Sequence, residues 1–249
     1  MTVCFGLVCN SRETAVFDML TPVATKPSLK QLTHLLENIP LFAQLDAKTR
    51  QKLVQTARWQ EAQAGEIVTL EGEPMPGLFI LQYGWVKAVK SAVSGREQVL
   101  RFFEAGEMFN EIGILTDKPN PATVIALEPA GLWLISRQVV RDLLRDEPDF
   151  AQYLIEQLAQ RMVYLVSLIT DISLRSVTER LARLLLADAK ADVVQRPRWF
   201  TQAELAARLG TVPDVIQRAL RDLDNNGVIA VHRREIRILD PDALAELAG

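Results

Sequence analysis

The chain has 249 residues, of which 49% are hydrophobic and 24% are charged, and this average composition excludes a disordered chain, a collagen and a disulfide-stapled miniprotein. No run approaches the roughly 20 apolar residues that a membrane-spanning helix needs, and the first residues lack the basic segment of a secretory signal. We therefore expect a cytoplasmic protein of one or two domains with no membrane partner. The net charge of −3 argues at first against a nucleic-acid partner.

The charges are unevenly distributed along the chain. Residues 196–237 contain eight arginines and five acidic residues, whereas the sequence before residue 172 is acidic overall. Such a basic segment is typical of a nucleic-acid interface, but an ordinary solvated surface has the same composition. Charge alone leaves both interpretations open.

The N-terminal part predicts a loose extension followed by helices. Residues 1–28 show no sustained period and contain two prolines, and Met19 is an alternative start to Met1. Helical spacing of apolar residues then predicts helices over 29–42 and 46–59.

Between about residues 64 and 136 the pattern changes to short apolar runs separated by Gly or Pro. Turn signals every 8–12 residues, with no alternation of strands and helices, predict an antiparallel sandwich or roll. The predicted strands are 67–70, 78–81, 85–89, 98–103, 123–127 and 131–135.

Helical spacing returns after residue 136. We predict a short helix over 137–145 that stops before Pro148, and a long helix from Phe150 to about Ser173. The long helix has a seam of apolar residues at steps of three and four, typical of a coiled-coil homodimer, although a two-sided core helix in a monomer would share it. The seam comprises Ile155, Leu158, Met162, Leu165, Ile169 and Ile172. A second apolar face, with Tyr153, Leu154 and Leu168, is expected to pack on the roll.

The C-terminal part predicts a helix-turn-helix. A Ser-x-x-Glu capping box at Ser176 begins a helix over 177–189, which makes residues 172–176 a hinge. The region 192–198 is expected to be a polar loop. A second box at Thr201 begins a helix that stops at Gly210, and Thr211 is expected to cap the next helix, about 212–225.

The second helix of this motif separates into a polar and an apolar face. At about 100° per residue, Asp214, Gln217, Arg218 and Arg221 share one side, opposite an apolar group that includes Ile216 and Leu220. Arg can pair with guanine, Gln with adenine, and Asp with the cytosine amino group, whereas Arg221 is better placed for phosphate. Residues 228–231 and 235–239 then predict a hairpin with basic Arg233 and Arg234 at its tip. A recognition helix beside a basic wing favours DNA binding.

This order of parts resembles the cyclic-AMP receptor protein/fumarate–nitrate regulator (CRP/FNR) family of bacterial transcription factors. The resemblance covers about residues 30–249 and is carried by the segments 71–87, 106–113, 176–180 and 200–220. It implies an α+β fold, with an antiparallel β-roll of the cyclic-nucleotide-binding type (a double-stranded β-helix), a dimerisation helix and a winged helix-turn-helix. The expected domains are an extension over 1–28, a sensor over 29–149, a dimerisation helix and hinge over 150–175, and a DNA-binding domain over 176–249. The expected DNA-binding residues are Gln202, Thr211, Pro213, Asp214, Gln217, Arg218, Arg221, Arg233 and Arg234.

The resemblance also places an effector pocket in the roll. Glu111 matches the family's ribose-binding Glu, but Asn120 stands where the family has the phosphate-binding Arg, and Pro121 beside it has no N–H. Leu165 and Val166, which would meet a purine, cannot hydrogen-bond a base. With Asn110, these residues form the expected pocket. This set offers no cation for a phosphodiester. Lys118 could substitute for one, but we expect it to be a solvated loop lysine, and we therefore expect that cyclic AMP is not the effector.

The other cofactors of the family need particular side chains as ligands, and this chain contains few of them. An iron–sulfur cluster needs four cysteines, and this chain has only Cys4 and Cys9, whose role stays open. Haem remains an alternative, with His34 as its axial ligand. An apolar small molecule and the absence of any ligand remain open as well, and no metal site is expected.

The sequence therefore predicts a homodimeric, sequence-specific regulator that binds palindromic double-stranded DNA, with RNA polymerase as a further partner if it activates transcription. The alternative is a roll that regulates a protein partner, with the winged domain as an interaction module. An enzyme is not expected, because no nucleophile–base pair, zinc spacing or phosphate loop is present.

Overall fold

The computed structural model describes residues 26–116 and 118–249. Within them the chain divides into two compact units, Lys26–Thr170 and Asp171–Gly249. The predicted N-terminal extension lies almost wholly outside the described residues, as do Met19 and both cysteines.

The first unit begins with three helices, α1 (Leu29–Asn38), α2 (Pro40–Ala43) and α3 (Ala47–Thr56). The predicted single helix over 29–42 is wrong, because Ile39 is extended before Pro40 and divides it. The predicted helix over 46–59 ends early at Thr56, since Arg58–Ala62 forms a strand instead.

The roll consists of two four-stranded antiparallel sheets. Its elements are β1 (Arg58–Ala62), β2 (Ile67–Thr69), β3 (Gly77–Tyr83), β4 (Val86–Ser91), β5 (Glu97–Phe103), β6 (Met108–Phe109), α4 (Glu111–Thr116), β7 (Thr123–Ala126) and β8 (Ala130–Ser136). The strand orders of the two sheets are β1-β8-β3-β6 and β2-β7-β4-β5. All six predicted strands are present, whereas β1, β6 and the short helix α4 were not predicted.

The two central strands of the first sheet, β3 and β8, are buried on both faces. Along β3, Phe79 and Leu81 belong to the core between the two sheets, whereas Leu78 and Ile80 belong to the core shared with the helices. This alternation follows from the two-residue period of a strand. Trp133 of β8 is fully buried on the helix side, where its indole N–H donates to Gln82 Oε1 at 3.0 Å. The sheet therefore packs against the helices on one face and against the second sheet on the other.

Two helices follow the roll, α5 (Arg137–Asp146) and α6 (Pro148–Leu174). Pro148 is the first residue of α6, so the long helix begins two residues earlier than predicted, at a position where the missing N–H costs nothing. Phe150 and Leu154 are buried in the helix-side core of the roll, and Tyr153 and Leu158 pack against it.

The second unit is a helical bundle edged by a three-stranded sheet. Its elements are α7 (Val177–Asp188), β9 (Val193–Gln195), α8 (Gln202–Leu209), α9 (Pro213–Asn225), β10 (Ile229–Val231), β11 (Glu235–Ile238) and α10 (Pro241–Ala248). The sheet order is β10-β11-β9. The predicted hairpin is present, but the predicted polar loop over 192–198 is partly wrong, because Val193–Gln195 pairs with β11. The terminal helix α10 was not predicted.

Candidate nucleic-acid interface and effector site

Local sequence determines the turn between α8 and α9. The Thr201 hydroxyl accepts a hydrogen bond from the Glu204 N–H at 3.2 Å and caps α8. Gly210 ends that helix in the left-handed region, at φ 65°, which glycine adopts without steric cost. The expectation that Thr211 caps α9 is wrong, because Val212 is the N-cap and Pro213 follows it within the first turn.

The polar and apolar faces of α9 separate as the spacing predicted. Ile216, Ala219, Leu220 and Leu223 are at most 5% exposed and fill the core of the unit. Asp214, Gln217, Arg218 and Arg221 are all exposed. Neither arginine of this face has an ion-pair partner within 26–116 or 118–249. The face therefore offers donors and an acceptor that are free for an external ligand.

The wing, which is the hairpin of β10 and β11, follows α9 in the chain and is hydrogen-bonded to it. The Asp224 carboxylate of α9 accepts a hydrogen bond from the Val231 N–H at 3.1 Å. The exposed Arg233 and Arg234 form the turn between β10 and β11. Gln202, in the first turn of α8, is partly exposed, as is Thr211.

The eight arginines of 196–237 do not contribute equally to an interface. Arg208 makes a bidentate ion pair with Asp188, at 2.5 and 3.0 Å, and Arg237 pairs with Glu235 at 2.6 Å. Arg196 donates to the His232 carbonyl at 2.9 Å. The number of arginines in the sequence therefore overstates the positive charge available to a ligand, because these three arginines bond to other groups of the unit. The exposed arginines without an ion pair in the described part of the segment are Arg198, Arg218, Arg221, Arg233 and Arg234.

In the roll, an arginine that the sequence analysis missed reaches the predicted effector site. Arg161 of α6 forms an ion pair with Glu111, which is 2% exposed, and donates to the Met108 carbonyl at 3.2 Å. The expectation that this site offers no cation is therefore wrong. The charge of Arg161 is nevertheless already matched by a carboxylate of the chain itself.

The environment of Arg161 lowers its tendency to hold a proton. Burial, and then the charge of Arg101, lower the pKa of Arg161 to about 10, while Glu107 acts in the opposite direction. Glu107 itself pairs with Arg101 at 2.5 Å. Arg161 thus stays charged at neutral pH, and the site contains a compact set of paired charges.

The other predicted pocket residues differ from one another in burial and in hydrogen bonding. Asn120 is 3% exposed, and its side chain donates to the Leu70 carbonyl at 3.1 Å. Asn110 has a positive φ of 79°, and Pro121 is exposed. Asn110 Nδ2, Glu111 Oε2 and Asn120 Oδ1 are buried atoms without a hydrogen-bond partner within the described residues. Buried polar atoms of this kind ordinarily have a hydrogen-bond partner.

Residues of α6 beyond the roll core present an apolar surface. Five of the six predicted seam residues are exposed. They are Ile155 (66%), Met162 (68%), Leu165 (40%), Ile169 (64%) and Ile172 (37%). The sixth, Leu158, is partly buried against the roll. Val166, predicted for the pocket, is 62% exposed on the same helix.

The other cofactor candidates find little support in the geometry. The His34 ring is 79% exposed on α1, at the surface, so it does not fit a buried axial ligand for haem. No cluster of His, Cys, Asp or Glu suited to a metal ion occurs in 26–116 or 118–249. Cys4 and Cys9 lie outside the described residues. Across the same ranges, none of the helices combines the length and the apolar character that crossing a membrane requires.

Comparison with known proteins gives two family matches. Residues 59–147 match the family described as a cyclic nucleotide-binding domain, and residues 179–247 match the Crp-like helix-turn-helix domain. Together the two matches cover more than half of the chain.

Relatives with curated descriptions extend across both parts. The chain is 27% identical over 190 residues to a CRP-like cAMP-activated global transcriptional regulator of Mycobacterium tuberculosis, covering 74% of this chain and 85% of that protein. It is 27% identical over 200 residues to the fumarate and nitrate reduction regulatory protein of Escherichia coli, covering 77% and 79%. In fold it is similar to FixK2 from Bradyrhizobium japonicum, with a TM-score of 0.69 and 20% identity, covering 78% and 98%.

Proposed function

Since the chain belongs to the CRP/FNR family of DNA-binding transcription regulators, we propose that it acts as a homodimer that binds a specific, roughly palindromic operator. The observation that carries this proposal is the exposed polar face of α9, whose two arginines have no ion-pair partner in the described ranges. The proposed function is regulation rather than catalysis.

Each exposed residue of the motif has a proposed role. Asp214, Gln217 and Arg218 lie in the first two turns of α9, the part of a recognition helix that meets base edges. Arg221, one turn further on, contacts phosphate, as do Arg233 and Arg234 of the wing. Gln202, Thr211 and Pro213 lie at the starts of the two helices, where the DNA backbone approaches.

The apolar surface of α6 is the proposed dimer interface. Burying an exposed Ile, Leu or Met side chain contributes about 1.5–3 kcal/mol, and the seam places several of them at coiled-coil spacing. Leu158 contributes less than the others, because the roll already covers part of it. The proposed division of the chain is a sensor over 29–149, a dimerisation helix and hinge over 150–175, and a DNA-binding domain over 176–249.

The roll is the proposed sensor, and its effector is not cyclic AMP. Asn120 donates to Leu70, Pro121 has no N–H, and Arg161 is neutralised by Glu111, so none of these three residues offers an unpaired cation to a phosphodiester. The unpartnered buried atoms of Asn110, Glu111 and Asn120 favour a small polar effector instead. A buried polar atom without a partner costs about 1–3 kcal/mol, which such a molecule recovers on binding.

Selection from a library of random DNA duplexes tests the regulator proposal directly. We expect enrichment of a palindromic sequence, and an affinity for it that falls as the salt concentration rises. A library without enrichment, together with binding that is indifferent to salt, would support a winged domain that contacts proteins instead. RNA polymerase is a further proposed partner if the protein activates transcription.

Calorimetric titration with cyclic AMP tests the effector proposal. We expect no heat of binding and no change in affinity for the selected operator. Binding at micromolar concentration, accompanied by tighter operator binding, would contradict it.

A further inference from the structure

Three residues around the junction of α6 and α7 form a ring of polar contacts with the end of α10. Asp171, in the last turn of α6, accepts a hydrogen bond from Arg175 Nε at 2.9 Å and lies 3.6 Å from Nε of Arg183 in α7. Both guanidinium groups also donate to the Ala248 carbonyl, at 3.1 Å from Arg175 and 3.5 Å from Arg183. One carboxylate and one carbonyl are therefore bridged twice, by two arginines.

The charges of this ring suit the helix ends that it joins. A helix has a partial negative charge at its C-terminus, where the last carbonyls lack partners within the helix. Neither α6 nor α10 has a basic residue in its own last turn. Arg175, directly after α6, and Arg183 of α7 therefore supply the positive charge for both ends, and Asp171 balances part of it.

A buried arginine holds the same turn of α6 at a second point. Arg180, in the first turn of α7, is 8% exposed, and its guanidinium donates to the Ile172 carbonyl at 3.4 Å. Only Arg175 and Ser176 separate α6 from α7 in the chain. The last turn of α6 is thus attached to α7 by a short connection, by Arg180 and by the ring, and it belongs to the compact unit Asp171–Gly249.

We propose that the ring is a latch, which fixes the last turn of each dimerisation helix to its own DNA-binding domain and so sets the spacing at which two recognition helices meet an operator. Asp171, Arg175 and Arg183 are the positioning residues of this latch, and α10 is the element that they hold. The inference rests on the proposed function, because it requires a homodimer that reads two half-sites. It gives a role to α10 and to three residues that the sequence did not predict as functional.

Stiffness at this junction has a direct consequence for binding. When two binding modules are linked, the second contact gains most if the link matches the distance between the two sites. A stiff link confines that gain to one spacing, whereas a loose link lowers the gain at the correct spacing and tolerates other spacings better. With the latch closed, the segment 172–176 therefore acts as a fixed joint between the two domains of a protomer.

Hydrogen exchange of the protein without DNA tests whether the ring holds these elements together. Arg175→Met keeps most of the apolar stem and removes the donors to the ring. We expect several-fold faster amide exchange at both segments of the latch, 171–175 and 245–249. Arg183→Met should show the same change to a smaller extent, because its contacts are longer. Unchanged exchange at both segments in Arg175→Met would overturn the proposal.

Arg208→Met is the matched control. Arg208 pairs with Asp188 in the same unit, and the side chains of this pair are 27% and 19% exposed, close to the 27% and 25% of Arg175 and Asp171. The control pair joins α8 to the end of α7, whereas the latch joins α10 to α6. We expect the exchange of both latch segments in Arg208→Met to match the wild type.

Operators of altered spacing test what the latch does. One base pair inserted at the centre of the selected operator turns one half-site by about 35° relative to the other. A linked second contact raises affinity by about 100-fold or more, so we expect this insertion to weaken binding by the wild type and by Arg208→Met about tenfold or more. Arg175→Met should lose only a few-fold, with its affinity for a single half-site unchanged.

The outcomes separate the latch from the proposed function. If the insertion weakens Arg175→Met as much as the wild type, the latch does not set the spacing, although operator binding itself stands. If Arg175→Met also loses affinity for a single half-site while its spacing preference persists, the ring serves the stability of the domain instead. A wild-type chain that binds no duplex contradicts the proposed function, whereas the exchange result still decides whether the ring holds α10.

Discussion

Arg218 lies in the second turn of α9, on the exposed face from which a side chain can reach a base edge. It is exposed, and it lies one residue from Gln217 and opposite the buried Ile216 and Leu220. Its five donors suit the paired acceptors of guanine. The residue therefore reads sequence if α9 enters a major groove.

Replacing Arg218 by Ala is expected to weaken operator binding by about 1–3 kcal/mol and to relax the preference at a single base pair. The measurement is fluorescence anisotropy with the selected operator and with each single base-pair substitution of it. Arg221→Ala is the comparison, since loss of a phosphate contact lowers affinity by a similar proportion for every sequence. A uniform loss in Arg218→Ala would contradict direct readout.

The Glu111–Arg161 pair gives a second expectation at the residue scale. Glu111→Gln leaves the guanidinium of Arg161 largely buried without its carboxylate, and breaking a buried pair costs about 3–5 kcal/mol. We expect the denaturant midpoint of the roll, followed by tryptophan fluorescence, to fall accordingly. The double variant Glu111→Gln/Arg161→Met should lose less than the sum of the two single variants.

Arg145→Gln serves as the control for that comparison. Arg145 also pairs with a carboxylate in the same unit, Asp146, at 2.7 Å, but its side chain is 67% exposed. Exposed pairs contribute little to folding, so the midpoint should hardly move. Equal effects of Glu111→Gln and Arg145→Gln would show that burial of the pair is unimportant.

At the scale of elements, the apolar seam of α6 is the feature that most needs a partner. Ile169 is 64% exposed, and neighbouring turns of the helix present Met162 and Leu165 in the same way. A carboxylate at the centre of a coiled-coil interface would be buried without a counter-charge. Ile169→Glu is therefore expected to convert the dimer to a monomer.

Light scattering coupled to gel filtration measures that change. Gln160→Glu adds the same charge on the same helix, at an exposed position outside the seam, and should leave the dimer intact. If Ile169→Glu remains dimeric, the interface lies elsewhere. A wild-type chain that runs as a monomer would likewise contradict the proposed interface.

The elements with local signals were the ones that the sequence predicted. The period of α9, the glycine after α8 and the alternation in the roll depend on neighbouring residues, so the helix-turn-helix and six strands were predicted. The strands β6 and β9 have two and three residues, and their pairing partners are distant in sequence. Their own residues carry no run of alternating or apolar residues long enough to indicate a strand, unlike the runs at 67–70 and 228–231.

Arg161 was missed although a signal for it existed. It follows Leu154 by seven residues and Leu158 by three, so it lies on the same face of α6 as these roll-facing residues. A charged residue on the face that packs against the core calls for a buried partner, and Glu111 is that partner.

At the scale of the whole molecule, the distribution of charge along the chain determines DNA binding more than the net charge does. The net charge of −3 conceals five exposed arginines that have no ion pair within the described part of the second unit, while the three other arginines of the same segment bond to groups of that unit. Non-specific binding is therefore expected to be weak, because few phosphates can be contacted without the base-reading face and a second protomer.

Two protomers related by a dyad require two half-sites at a fixed spacing. Recognition helices of such dimers enter successive major grooves about one helical turn, or roughly 10 base pairs, apart. Inserting half a turn at the centre of the operator places the half-sites on opposite faces of the duplex, so only one protomer can engage. We expect the affinity to fall to that of a duplex with a single half-site, measured by anisotropy. The same insertion outside the operator should change nothing, and tolerance of the central insertion would show that the two DNA-binding domains act independently.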